Sequence, residues 1–172
     1  NKQNISILDV GTGSGCIAIA LAKNLPEAKV FALEVSEKAL KIARQNALDN
    51  GVTIEFIEAD IFDIDLENVQ FDIIVSNPPY VRELEKETMS PNVLNYEPHL
   101  ALFVKDEDPL LFYRKITEIA NSALKSKGFL YFEINEFLGN LTRQLVQKLN
   151  YSNIELKKDL FMKDRMIKAN KK

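Results

Sequence analysis

The chain is poor in the residues that build metal centres and disulfides. Its 172 residues include one cysteine, Cys16, and one histidine, His99. A lone cysteine excludes an internal disulfide and a cysteine cage, and a lone histidine argues against a histidine-rich zinc site, so no metal ion is expected. Cys16 reads as a small buried residue and His99 as a loop side chain. Long apolar runs are missing too: none approaches the roughly 20 residues of a membrane-spanning helix, and no membrane association is expected. Asn1-Lys2-Gln3-Asn4 leads directly into a short apolar strand and then glycines, which is not the layout of a secretory signal, so a cytoplasmic protein is expected. Positive charge is not in excess either. A net charge of −3 gives no general attraction to nucleic acid or anionic lipid. Lys168, Lys171 and Lys172 read as a solvated tail.

What is present is ordinary globular composition, 46% hydrophobic and 27% charged, in a length that suits one domain with a sizeable core. Ile5 to Val10 is a strand candidate, followed by Gly11-Thr12-Gly13-Ser14-Gly15 and a helix from Cys16, apolar nearly all round and stopped by Pro26. Lys29 to Glu34 is a second strand. Ser36 caps a helix with Ala39, Leu40, Ala43 and Ala47 at helical spacing, ended by Asn50-Gly51. Strands are expected near Ile54 to Ile57, at Phe71 to Val75 and at Phe129 to Ile134. Asp108-Pro109 supplies a cap and first-turn proline for a helix bearing Phe112, Ile116, Ile119, Ala120 and Ala123, which Gly128 follows. Leu138, Leu141, Leu145 and Leu149 mark a further helix, and Ser152 to Leu156 and Met166 to Ala169 close the chain as a strand pair. Strands alternating with helices predict a doubly wound, mostly parallel α/β sheet of seven strands with a C-terminal antiparallel hairpin. Residues 81–108, long and weakly periodic, read as a functional loop or lid.

Two stretches carry chemistry. Ser76-Asn77-Pro78-Pro79-Tyr80 leaves the fourth strand as a stiff polar ledge beside an aromatic ring. Each proline removes an N–H and forces the preceding residue towards extended geometry. The Asn77 side-chain oxygen and the Pro78 carbonyl then stand as two fixed acceptors able to grip both hydrogens of a ligand NH2 group. The glycine loop sits where open α/β sheets bind ligands, beyond the carboxyl ends of the strands. A dinucleotide fingerprint wants glycine or alanine where this chain has Cys16. The closer Gly-x-Gly-x-Gly spacing suits S-adenosylmethionine, with Gly11, Thr12, Gly13, Ser14 and Gly15 around the cofactor. Glu34 offers two oxygens to the ribose hydroxyls and Asp60 an acceptor to the adenine amino group. Asp9 orients the loop by holding backbone N–H groups, or meets the cofactor's ammonium.

Asp9 to Gly15, Asn77-Pro78-Pro79-Tyr80, Glu97-Pro98 with Ala101-Leu102, and Asp164-Arg165 before Lys168-Ala169 together resemble the catalytic domain of the release-factor glutamine methyltransferases. The resemblance covers nearly the whole chain. It implies a Rossmann-like class I methyltransferase domain over 1–172, without the helical N-terminal domain that relatives carry. It also implies methyl transfer from S-adenosylmethionine to the side-chain amide nitrogen of the glutamine in the Gly-Gly-Gln motif of peptide-chain release factors. Asn77, Pro78 and Tyr80 would be catalytic, Pro79 would complete the substrate ledge, and Asn77 would also meet the cofactor. Where relatives often carry tryptophan after Asp60 this chain has Ile61, which leaves an apolar contact for the adenine. Where they often carry glycine after the Glu-Ile of the fifth strand it has Asn135.

Rival readings stand beside this one. The same ledge would serve the exocyclic amine of adenine in RNA or DNA, with the base extruded onto Tyr80. An intact cofactor site without turnover would make the chain a cofactor-binding partner subunit. A nucleotide-dependent dehydrogenase is disfavoured by Cys16 and by the lack of a proton donor at Asn77.

Overall fold

The computed structural model describes residues 4–66, 68–82, 84–85 and 103–172. Along the chain lie β1 (Ser6–Val10), α1 (Cys16–Asn24), β2 (Lys29–Glu34), α2 (Glu37–Asp49), β3 (Glu55–Glu58), β4 (Phe71–Ser76), the two-residue strands β5 (Val81–Arg82) and β6 (Phe103–Val104), α3 (Leu111–Ala123), β7 (Leu124–Glu133), α4 (Gly139–Lys148), β8 (Tyr151–Lys158) and β9 (Asp164–Lys171). Seven strands form one sheet in the order β3-β2-β1-β4-β7-β9-β8, while β5 and β6 pair separately. The first five strands of that order run parallel, and β9 runs antiparallel to both β7 and β8. The expected sheet is therefore present, with the second strand of the terminal hairpin on the inside, against β7.

Alternation along the strands distributes the core to both faces. On β2, Val30 and Ala32 join Ala18 of α1 in one cluster, whereas Phe31 and Leu33 face the larger one. That larger cluster takes Tyr113, Ile116, Ala120 and Ala123 from α3 and Val146 from α4, packed on Leu8, Ile74, Leu130 and Ile167 of the sheet. The Ser36 side chain accepts from the Ala39 N–H at 3.3 Å and caps α2, and Leu40, Ala43 and Ala47 are buried, as their spacing requires.

Several local expectations are corrected. Cys16 is exposed at the first position of α1, and α1 buries Ala18 and Ile19 while Ala20 faces solvent. Asp108 does not cap α3. The helix starts at Leu111 after an uncapped Leu110, and both Asp108 oxygens are taken by Arg114, at 2.8 and 2.9 Å. Gly128 does not follow α3 but lies inside β7, which begins directly at Leu124 and changes register with β4 beyond it. A side chain at Gly128 would meet the Lys125 carbonyl at 2.9 Å, which is the local reason for glycine. On α4 the buried residues are Gly139, Thr142 and Val146, and Leu141 is half exposed. Lys168 and Lys171 belong to β9, where Lys168 pairs with Glu155 at 3.0 Å and Lys171 donates to the Leu124 carbonyl at 2.6 Å. Much of the 81–108 lid segment, with His99, Glu97-Pro98 and Ala101-Leu102, lies outside the described residues.

Candidate active site

All five parallel strands end at one edge of the sheet, and every residue singled out for chemistry lies there. The chain order reverses between β1 and β4, the position where a doubly wound sheet opens a crevice for a ligand. The register pairs Val10 with Ser76, so Gly11 and Asn77 are the first residues beyond two adjacent strands about 4.8 Å apart. The Ser76 hydroxyl donates to the Val10 carbonyl at 2.7 Å and ties the two strand ends together.

The glycine loop is built by β1, β2 and Asp9. The N–H groups of Gly11 and Thr12 both donate to the Leu33 carbonyl, at 2.8 and 3.0 Å. Asp9 is 1% exposed, and its Oδ2 accepts from the Thr12 hydroxyl at 2.6 Å and from the Ala18 N–H at 3.2 Å. Its Oδ1 is buried with no hydrogen-bond partner among the described residues. Burial pushes the Asp9 carboxyl up to about 6, against the pull of Thr12 and Ala18, with the Glu34 charge adding to the rise. Gly13 has φ +56 and an open space above it, so the loop leaves room where a side chain would stand. Gly15, at φ +87, is tight. A Cβ there would meet Ile19 at 3.1 Å and Ala43 at 3.2 Å, so this glycine lets α1 approach α2. Ser14 and Cys16 side chains lie 3.2 Å apart on the exposed side.

Glu34 ends β2 and organises the neighbouring loops. Its Oε2 accepts from the Gly13 N–H at 3.0 Å, and its Oε1 accepts from the N–H groups of Val35 and Ser36, both at 3.0 Å. Asp60, beyond β3, is exposed and caps its own turn by accepting from the Phe62 N–H at 2.9 Å. Ile61 is 8% exposed and committed to the main core cluster. The exposed apolar side chain of that turn is Phe62, whose ring lies 5.5 Å from that of Phe112. The apolar contact expected from Ile61 is thus available from Phe62, one residue later, and there it is aromatic.

Asn77 is exposed at the end of β4, Pro78 is buried, and Pro79 and Tyr80 are half-buried. The Tyr80 ring packs on the main core, and its hydroxyl donates to Glu133 Oε1 at 2.8 Å. Burial and then the Glu133 charge push the phenol up to about 12, so it stays protonated. Arg165, at the start of β9, also interacts with the Tyr80 phenol, and its Nε donates to Asp159 Oδ2 at 3.1 Å. Glu133, Asn135 and Arg165 were not singled out from the sequence as site residues. Glu133 and Asn135 end a parallel strand, and the rule that picks Glu34 and Asp60 would have picked them too. Arg165 lies in the Asp164-Arg165 pair that helps carry the family resemblance, but no strand-end rule points to it, because only the antiparallel course of β9 brings it to this edge. Among the described residues no group of three His, Cys, Asp or Glu side chains is placed to hold a metal ion, and no helix is long and apolar enough to cross a membrane. A hollow lined by Ile5, Leu25, Pro26 and Ala28 lies at the opposite edge, beside the starts of β1 and β2.

A parallel sheet in this strand order, closed by an antiparallel hairpin and carrying a glycine loop after β1, defines a methyltransferase domain. The chain belongs to the methyltransferase-domain family, whose model matches residues 1–169. It is 61% identical, over 98% of its length, to the release factor glutamine methyltransferase of Flavobacterium psychrophilum, and 51% identical over 99% to that of Bacteroides thetaiotaomicron. It spans 59% and 62% of the lengths of those two relatives. The crystal structure of a methyltransferase from Pyrococcus furiosus superposes with a TM-score of 0.70 at 22% identity, covering 98% of this chain and 75% of that one, a likeness of fold.

Proposed function

We propose that this chain transfers a methyl group from S-adenosylmethionine to the side-chain amide nitrogen of glutamine in the Gly-Gly-Gln segment of a peptide-chain release factor, in the cytoplasm. The observation that carries this reading is the Val10 to Ser76 register, which sets the Asn77 to Tyr80 ledge beside the glycine loop. The choice of glutamine over other amino acceptors is supported by the names of the relatives that match over nearly the whole chain.

The residues of the loop fit a cationic cofactor. A buried carboxylate oxygen without a donor, Asp9 Oδ1, lies under a loop whose Gly13 faces open space, and Glu34 stands at the next strand end. S-adenosylmethionine, when bound, supplies a methyl group made electrophilic by positive sulfur. Gly11 to Gly15, Glu34, Asp60 and the exposed Phe62 side chain would hold it, with Ile61 behind them in the core. Asn77 and Pro78 do the remaining work. An amide nitrogen is a poor nucleophile because its lone pair is delocalised into the carbonyl. Two acceptors engaging both N–H hydrogens would hold the amide so that this lone pair, which stands out of the amide plane, faces the bound methyl group, favouring the transition state over the flat ground state. With the cofactor held there, the amide nitrogen would take the methyl group, and the proton it then carries in excess would pass to water. No side chain of high basicity is required.

The test is mass spectrometry of a release factor after incubation with this chain and labelled S-adenosylmethionine, with RNA and DNA in parallel. A mass increase equal to one labelled methyl group in place of one hydrogen, on the Gly-Gly-Gln glutamine, is the expected result. Label in adenine, or in neither substrate class, overturns the reading.

A further inference from the structure

Tyr80 is fixed at two points by the chain leaving β7. Its hydroxyl donates to Glu133 Oε1 at 2.8 Å, and its main-chain carbonyl accepts from Asn135 Nδ2 at 3.0 Å. Asn135 is 3% exposed. The same amide nitrogen reaches both oxygens of Glu85 at 3.1 Å, Asn135 Oδ1 accepts from the Phe137 N–H at 2.9 Å, and the Asn135 N–H donates to the Tyr113 hydroxyl at 3.3 Å. Both ends of this buried amide are therefore engaged, by Tyr80, Glu85 and Phe137, while Tyr113 takes the main-chain N–H. Burying an amide is costly unless all of its groups are satisfied, and a space-filling role needs no such set of partners.

From this arrangement we infer that Asn135 is a positioning residue for the Asn77 to Tyr80 ledge. The inference rests on the proposed function and deepens it. Two consecutive prolines fix φ at Pro78 and Pro79, so the ledge moves largely as one body with Tyr80. Anchoring the Tyr80 carbonyl sets the direction in which the Asn77 side-chain oxygen and the Pro78 carbonyl present themselves. The second hydrogen of the Asn135 amide ties that anchor to Glu85, itself paired with Arg82. The grip on the acceptor amide is thus adjusted from β7, by a residue that touches neither substrate nor cofactor.

Three variants of the full chain test this: Asn135→Ala, Asn135→Asp, and Asn135→Asp combined with Glu85→Gln. Measured are S-adenosylmethionine affinity by calorimetry, kcat and KM on a release factor, thermal stability, and amide exchange over residues 80–82. Asn135→Ala should lower kcat about tenfold to a hundredfold, the scale of a small misplacement of reacting groups. Its cofactor affinity should stay within about threefold, and exchange at 80–82 should quicken. Asn135→Asp sets a carboxyl against the Glu85 carboxylate and the Tyr80 carbonyl, with Glu133, Arg82, Arg165 and the Tyr80 and Tyr113 hydroxyls as other charged or titratable groups nearby. Its turnover should fall further at neutral pH and recover in acid, when one proton is shared between the two carboxyls. The double variant restores a donor between positions 85 and 135 but none for Tyr80, so stability should return while kcat stays low. Unchanged exchange in Asn135→Ala, or kcat recovering together with stability in the double variant, overturns the inference. Failure of the wild-type chain to methylate any release factor overturns the functional reading instead, and the exchange comparison then decides alone whether Asn135 holds Tyr80.

Discussion

Asp9 and Asn77 show how differently two polar residues at one sheet edge are used. Asp9 is buried, and its carboxyl is raised from 3.8 to about 6 chiefly by loss of solvent. A native pKa above the unfolded one means that the folded state binds the proton more tightly. The stabilising contribution of Asp9 is therefore complete below about pH 3.8 and lost as pH rises through about 6. Asn at this position keeps an oxygen for Thr12 and Ala18 and does not titrate. Relative to wild type, Asp9→Asn should gain stability between pH 4 and 6, on the order of 3 kcal/mol for the whole shift at 1.36 kcal/mol per unit. Urea denaturation at both ends of that range measures it, and parallel stability at the two pH values would refute it. Asn77, by contrast, is exposed and has its chemistry to do outside the fold. Asn77→Ala should leave stability and cofactor affinity nearly unchanged and lower kcat by about a hundredfold to a thousandfold, the loss seen when one preorganised polar group is removed from a transition state. Turnover within a factor of three of wild type would remove Asn77 from the mechanism.

Among the elements, the α1 to α2 approach is the most demanding piece of packing near the loop. Gly15 begins α1 at φ +87, with Ile19 and Ala43 within 3.2 Å of where a Cβ would be. Gly15→Ala combines a left-handed backbone with a steric clash, and should cost about 1–3 kcal/mol of stability. Displacement of α1 also moves Ala18, the donor to Asp9, so cofactor affinity should fall with it. A variant of wild-type stability would mean that α2 yields freely. The same stretch shows what was legible in the sequence and what was not. The strand, glycine loop and helix succession, the Ser36 cap and the Asn77 ledge were all readable, because each depends on local backbone demands that particular residue types meet. Asp108 misled because its carboxylate serves Arg114, six residues on, rather than the N–H groups of α3. Gly128 misled because the irregularity it serves is inside β7, where pairing with β4 shifts. The Tyr80 bracket was hidden for the same reason on a larger scale, since Glu133 and Asn135 meet it only once β7 lies beside β4, and Arg165 only once β9 lies beside β7.

At the scale of the whole molecule, the larger core cluster draws buried side chains from β1, β2, β4, α3, β7, α4, β8 and β9, so the two ends of the chain share one interior. Such a core should melt as one cooperative unit, with no separate transition for the terminal hairpin. The glycine loop and Glu34 are organised by contacts between successive strands, so a ligand that binds them acts on the stability of the entire sheet. At about 100 times its dissociation constant such a ligand adds about 2.7 kcal/mol. For a chain of this size each kcal/mol raises Tm by about 2–4 °C. S-adenosylmethionine at that excess should therefore raise the single Tm by roughly 5–10 °C. A nicotinamide dinucleotide at equal concentration should not, because Cys16 stands where that cofactor's fingerprint has a glycine or alanine for close packing of helix on strand. Differential scanning calorimetry with each ligand decides the matter. Equal shifts would reopen the dehydrogenase reading, and two separate transitions, only one of them moved by S-adenosylmethionine, would show that the hairpin folds apart from the sheet holding the cofactor loop.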